Sequence, residues 1–412
     1  MNTSKNFIAI FFQIKNKMID LTKFNLTIIN LIDRKFICQN SQFISKKIGL
    51  ILIFIYFSYL FKTTMIKKFY VLIVFMYLSQ LIFAQTDTIK INTGEKSAEE
   101  FFNEGVSLLQ NKKYNEAITA FTSAINLKNE FEKSYYNRGL AYSETGKIAE
   151  ATLDFNNAIG LNPNADYVYY SRAELQMQQS KKEEAYIDYL KSAEINPSNS
   201  DAWYKIGIMD FQKSEYEKAA ENYKKAIAAK PDFAYAYNDL ASSLFELGKT
   251  EEAITNYKKA IELNSSMAFT YNSLGSAYRK EKKYDLAIEA YSKAIELKND
   301  YYIAYNNRGT TKLEKTDLDA AIKDFNKAIE LNKDYAYAYN NRSYVHYKKK
   351  NYKESIADCD KAIFMNDKYG EAYLNRGISK EMMKDFKGAC EDFHKANTLG
   401  VIRAKQYFDV CE

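Results

Sequence analysis

Apolar residues recur at spacings of three and four along most of this chain, with polar residues between them, the pattern of amphipathic helices. The stripes themselves repeat. From Ala98 onward one pattern returns every 34 residues without insertion, in copies starting at Ala98, Glu132, Asp166, Ser200, Ala234, Ala268, Tyr302, Ala336 and Gly370. Position 4 is aromatic in every copy, from Phe101 and Tyr135 to Trp203 and Tyr373. Position 8 is always small, from Gly105 to Gly377, and position 20 is Ala except at Ser355. Position 24 is Phe or Tyr except at Cys359, and position 27 is Ala except at Ser192. Each copy therefore predicts two short helices, with small residues where their backbones meet and rings beside them. A bulky side chain at position 8 or 20 would overpack that contact, at a cost of roughly 1–3 kcal/mol. Gly146 and Gly248 fall in the turn between the helices, where a C-cap is needed. The only prolines, Pro163, Pro197 and Pro231, repeat the same 34-residue step.

These residues resemble the tetratricopeptide repeat (TPR), whose signature has an aromatic at 4, Gly or Ala at 8, Ala at 20, an aromatic at 24, Ala at 27 and Pro at 32. The resemblance covers residues 98–403 in nine ungapped units: 98–131, 132–165, 166–199, 200–233, 234–267, 268–301, 302–335, 336–369 and 370–403. It implies an all-α fold, a right-handed α-solenoid of helix-turn-helix units. A capping helix within 401–412 (Val401–Cys411) should cover the exposed face of the last unit. Ser355 and Cys359 predict a softer eighth repeat.

The front of the chain has another composition. Residues 1–84 hold 11 of the 58 Lys and Arg and 2 of the 52 Asp and Glu, so they carry +9 while the rest carries −3. The repeats are nearly balanced in charge, which argues against nucleic acid as a partner. From Met65 the chain reads Met-Ile-Lys-Lys, an apolar run Phe69–Phe83, and Ala84 before Gln85. That reads as a signal peptide over 65–84, with Met65 as the expected start, 1–64 as an over-extended N-terminus and 85–97 as a linker. The expected location is outside the cytoplasm, periplasmic or extracellular. The alternative is a membrane anchor, if the apolar segment stays uncleaved; Ile48–Phe61, at 14 residues, is short for a span.

Little in the repeats points to catalysis. The two histidines, His346 and His394, lie in different repeats, and neither a metal site nor a cofactor is expected. No phosphate loop or nucleophile elbow is present. Cys359 replaces a core ring and reads as a buried thiol. In an oxidising compartment Cys390 and Cys411 could bridge; two packed thiols are the alternative.

One charged pattern belongs to the scaffold. Position 7 is Arg in five copies (Arg138, Arg172, Arg308, Arg342, Arg376), and position 23 is Asp in the same five (Asp154, Asp188, Asp324, Asp358, Asp392). Elsewhere both change together, as expected of an ion pair between the two helices of a repeat, since a buried Asp without its partner is costly.

The TPR resemblance places positions 2, 5, 6 and 9 of the first helices on a concave groove for a protein or peptide ligand. Position 5 carries rings in the first half (Tyr136, Tyr170, Tyr204) and asparagine in the second (Asn238, Asn272, Asn306, Asn340). Asn137, Asn307, Asn341 and Asn375 add amides at position 6, and Tyr167, Tyr235, Phe269 and Tyr337 add rings at position 2. An amide ladder can pair with an extended backbone, or it can bond a neighbouring helix. Position 5 is never Lys, so the clamp for chaperone C-terminal tails is absent. The expected function is a non-enzymatic protein-interaction scaffold. The alternatives are a membrane-tethered assembly factor and a carbohydrate-binding solenoid using the groove rings.

Overall fold

The computed structural model describes residues 96–411. The expectations for 1–64, for the leader 65–84 and for most of the linker 85–97 lie outside the described residues. Among those described there are 18 α-helices and no strand. In chain order they are α1 (Ala98–Gln110), α2 (Tyr114–Leu127), α3 (Glu132–Glu144), α4 (Ile148–Leu161), α5 (Asp166–Gln178), α6 (Lys182–Ile195), α7 (Ser200–Gln212), α8 (Tyr216–Ala229) and α9 (Ala234–Glu246). They continue as α10 (Thr250–Leu263), α11 (Ala268–Lys280), α12 (Tyr284–Leu297), α13 (Tyr302–Glu314), α14 (Leu318–Leu331), α15 (Ala336–Lys348), α16 (Tyr352–Met365), α17 (Gly370–Met382) and α18 (Phe386–Thr398). Each helix packs on its chain neighbours, and most odd-numbered helices also touch the next odd-numbered one. The first helices thus form the closer, inner layer of an all-α solenoid.

Local chemistry sets the helix ends. Asn162, Asn196, Asn264, Asn332 and Asn366, at position 31, accept a hydrogen bond from the backbone N–H two residues on, which turns the chain out of the second helix. At position 15 all nine copies adopt left-handed backbone, with φ from 56° to 77°. Glycine fills that position at Gly146 and Gly248; elsewhere it is Lys, Ser or Thr, including Thr316 at φ 65°. The turn is thus set by its place between two packed helices, and most copies carry the strain of a side chain there.

Within a pair the helices approach where position 8 lacks a side chain. A Cβ added at Gly275 would lie 2.7 Å from the Tyr291 ring, and one at Gly105 would lie 2.6 Å from Phe121. The eighth repeat solves the contact differently. Cys359 donates to Ser343 at 3.2 Å within the repeat, and the Ser355 hydroxyl meets that of Ser379 in the ninth repeat at 2.8 Å. Burial pushes the Cys359 thiol up to about 12.

The Arg and Asp at positions 7 and 23 meet in all five copies. Each guanidinium grips its aspartate through Nε and Nη2 at 2.6–2.9 Å. The third nitrogen, Nη1, reaches back to position 25 of the preceding repeat (Thr122, Asn156, Ser292, Asn326, Asp360) at 2.6–3.0 Å. Each guanidinium also lies 5.3–5.6 Å from the centroid of the position-4 ring. One arginine therefore ties both helices of its repeat to the repeat before. In repeat four, where Ile206 replaces the arginine, the buried carboxylate moves to Asp210 and accepts from Asn222 at 2.7 Å.

The expected capping helix is a 3₁₀ helix, Ile402–Cys411. Gly400, at φ 91°, turns the chain so that the segment folds back on α18. Ala404 is buried there, Tyr407 stacks on Phe393 at 4.9 Å, and Cys411 is disulfide-bonded to Cys390 across 21 residues. A loop of that length stabilises by about 3 kcal/mol on the chain-entropy account.

Two outcomes test this scaffold in urea melts. Arg172→Leu strands a nearly buried aspartate and is expected to cost about 3 kcal/mol; Arg308→Leu should cost less, because Lys312 also contacts Asp324 at 2.7 Å. Equal losses would contradict the role given to Lys312. Thr316→Gly relieves left-handed strain and should stabilise by about 1 kcal/mol.

Candidate binding groove

The first helices carry the predicted groove positions, and the structure divides them into two sets. Five of the position-5 side chains form rungs to position 6 of the next repeat. The Tyr136 hydroxyl meets Ser171 at 3.2 Å, and the Tyr204 hydroxyl donates to Asp239 at 2.7 Å. In the second half the rungs are amide pairs. Asn307 donates to Asn272 at 3.1 Å, and Asn341 to Asn306 and Asn375 to Asn340 at 2.9 Å. Asn238, Asn306, Asn340 and Asn375 are buried. Of the two roles open to the ladder, Asn272, Asn306, Asn307, Asn340, Asn341 and Asn375 thus take the bond to a neighbouring helix. Asn238 donates to Asp239 at 2.8 Å, and Asn137 bonds its own helix at Lys133 O, also at 2.8 Å.

The rings at position 5 are half-buried. Tyr136 packs on Tyr167 with centroids 4.8 Å apart, and Tyr170 on Tyr189 at 5.5 Å. Tyr167 donates to Glu132 at 2.8 Å, and burial pushes its phenol, like those of Tyr170 and Tyr204, well above the usual range. Tyr167 and Tyr204 therefore act as neutral donors that brace the inner layer.

Three position-2 rings remain open: Tyr235 (48% exposed), Phe269 (39%) and Tyr337 (54%). Tyr235 and Phe269 stack, with centroids 6.1 Å apart and planes 21° from parallel. Tyr337 belongs to a longer series. Its ring lies 5.5 Å from Tyr335 and 5.1 Å from Tyr369, and Tyr335 is 4.9 Å from Tyr302. Sequence reasoning missed Tyr302, Tyr335 and Tyr369. The signal was available, since position 34 is aromatic in Phe131, Phe233, Tyr301, Tyr335 and Tyr369. Rings half open to solvent on an inner face are the surface most improved by a ligand that covers them.

One set of ligand-type atoms does gather at the C-terminal end of the repeats. Cys390 and His394, four apart on α18, converge with Cys411, with their ligand atoms all within 4.8 Å of one another. The i, i+4 spacing of Cys390 and His394 was the missed signal. The disulfide takes both sulfurs out of coordination chemistry, and His394 packs its ring 4.4 Å from Phe408.

Family models described as Tetratricopeptide repeat match residues 132–165, 167–199, 232–300 and 336–369, and one described as TPR repeat matches 105–146, 207–248 and 311–350. The chain belongs to the tetratricopeptide repeat family. Several solved TPR-type structures are similar. YrrB, described as a TPR protein with an unusual peptide-binding site, is 25% identical over 47% of this chain and 97% of its own, with a TM-score of 0.42. A MamA structure is 30% identical over 39% of this chain and 94% of its own, with a TM-score of 0.38. The Cut9–Hcn1 hetero-tetramer of APC/C is 15% identical over 76% of each chain, with a TM-score of 0.50, a likeness of fold alone. No curated protein matches in sequence. Membership in the TPR family supports a protein-interaction scaffold.

The division of the TPR groove is testable by stability. Asn340→Leu leaves the Asn375 amide unpaired in the interior and should cost about 1–3 kcal/mol. Tyr235→Ala, at an open ring, should change stability by less than about 1 kcal/mol in the same melts.

Proposed function

We propose that this TPR protein is a non-enzymatic scaffold that binds an extended segment of a partner protein along the inner face of its first helices. The observation that carries this reading is the set of open rings, Tyr235, Phe269 and Tyr337, on a face where asparagine amides already bond between repeats. With the second-half amides bonded to one another between repeats, recognition rests chiefly on apolar cover of the rings. The leader-like segment at 65–84 and the Cys390–Cys411 bond support a location in an oxidising compartment outside the cytoplasm. A tether by an uncleaved segment remains the alternative for how it is held there; N-terminal sequencing that finds Gln85 first rules the tether out. No helix among the described residues is long and apolar enough to cross a membrane. The carbohydrate-binding alternative uses the same rings; sugar binding abolished by Tyr235→Ala, with no protein captured, would establish it instead.

The test is a photo-crosslinking amino acid placed at Phe269 and, as the opposed control, at Phe364, which is 89% exposed on the second helix of repeat eight. Protein adducts are expected from position 269. Adducts from 364 alone would move the interface to the outer layer and overturn the groove.

A further inference from the structure

Between the first helices of repeats four and five the inner face opens into a cavity of about 200 Å³, lined by Ile208, Phe211, Gln212, Tyr223, Asp239 and Ser242. Its walls are mostly apolar, and its one ionisable carboxylate is Asp239. That carboxylate accepts from the Tyr204 hydroxyl at 2.7 Å and from the Asn238 amide at 2.8 Å, both neutral donors. No Lys or Arg among the described residues pairs with it, and burial holds its carboxyl above the ordinary value. Position 6 is Asn, Ser or Lys in the other eight copies, so the acid is particular to this junction.

The next junction shows what this one lacks. There Lys280, at position 13, places its ammonium 4.4 Å from the centroid of the Phe245 ring at position 12 of the repeat before. One 34-residue step back, the ring is Phe211 and the residue in place of the lysine is Glu246. The chain supplies its own cation to Phe245. At Phe211 it offers carboxylates instead, Asp239 in the cavity and Glu246 at the register position of that lysine; burial raises the phenol of Tyr257, and Asp239 and Glu246 add to the rise.

We propose that this cavity is the subsite that receives a lysine or arginine side chain from the extended partner segment. The aliphatic stem lies against Ile208 and Phe211, and the charged head pairs with Asp239, a charge-assisted contact in a partly desolvated site. The inference rests on the groove reading above and gives it a chemical preference: a basic residue at one fixed place in the ligand, and rejection of an acidic one there.

The test is selection of displayed random 12-residue peptides on the full chain, followed by affinity measurements with labelled peptides. Wild type is expected to enrich Lys or Arg at one position. Replacing that residue by norleucine, or using Asp239→Asn, should weaken binding about tenfold, with little further loss when the two are combined. Gln212→Lys, an exposed change at the rim that leaves the interior intact, should weaken the basic peptides by a similar factor. Peptides that lose affinity with Tyr235→Ala yet show no basic position, or bind Asp239→Asn and Gln212→Lys as well as wild type, overturn the subsite and leave the groove reading standing. Selected peptides indifferent to Tyr235→Ala and Phe269→Ala, or no enrichment at all, overturn both.

Discussion

A methyl group on Gly309 would lie 2.9 Å from the Phe325 ring, and the same crowding recurs in five other repeats that have glycine at position 8. The two helices of a unit close because one side of their contact is no larger than glycine or alanine in eight copies and the other is a flat ring. Where the ring is lost, at Cys359, the opposite residue grows to Ser343 and the two bond at 3.2 Å. Part of the lost ring is thus replaced from the opposite side, and the chemistry of the contact changes. Every other feature depends on this closure, because it sets which faces of the first and second helices remain for the neighbouring repeat and for the groove.

Repeats are then joined to each other by two interchangeable means. In repeats two, three, seven, eight and nine an arginine is fixed by its own aspartate and reaches the preceding second helix with its remaining nitrogen. In repeats four to six, position 7 carries Ile206, Leu240 and Leu274, all buried. Leu240 and Leu274 lie in one apolar cluster running from Ala219 to Tyr291, and Ile206 in a second one with Tyr189 and Trp203. Replacing a buried ion pair by packed apolar side chains can be neutral or stabilising, provided both partners change together. The same middle repeats hold the cavity at Asp239. The polar side chains there are therefore not needed for the clamp that other repeats build.

Much of this could be read from residues alone. The helix pairs, the Gly–ring contact and the pairing of position 7 with position 23 follow from spacing and co-variation within one chain. The asparagine ladder was harder. An amide is equally able to bond a peptide or a neighbouring helix, and nothing in the Asn306-Asn307 dipeptide says which. The choice depends on the offset between successive repeats, which brings position 6 of one within 2.9–3.1 Å of position 5 of the last. That offset is a property of the stacked solenoid and of no single repeat.

The sequence by itself determined the unit, its period, its small-to-large contact and its buried charge pairs, because each depends on residues at most one repeat apart on rigid helices. Tertiary structure decided which side chains the stacking consumes and which it leaves open. It buried Asn340 while leaving Tyr337 half exposed three residues earlier on the same helix. It folded the last segment back as a 3₁₀ helix bonded through Cys411, and it opened a cavity at Asp239. Exposure in a solenoid is fixed by the curvature with which repeats pack, and that curvature is a sum over many contacts that no local pattern records.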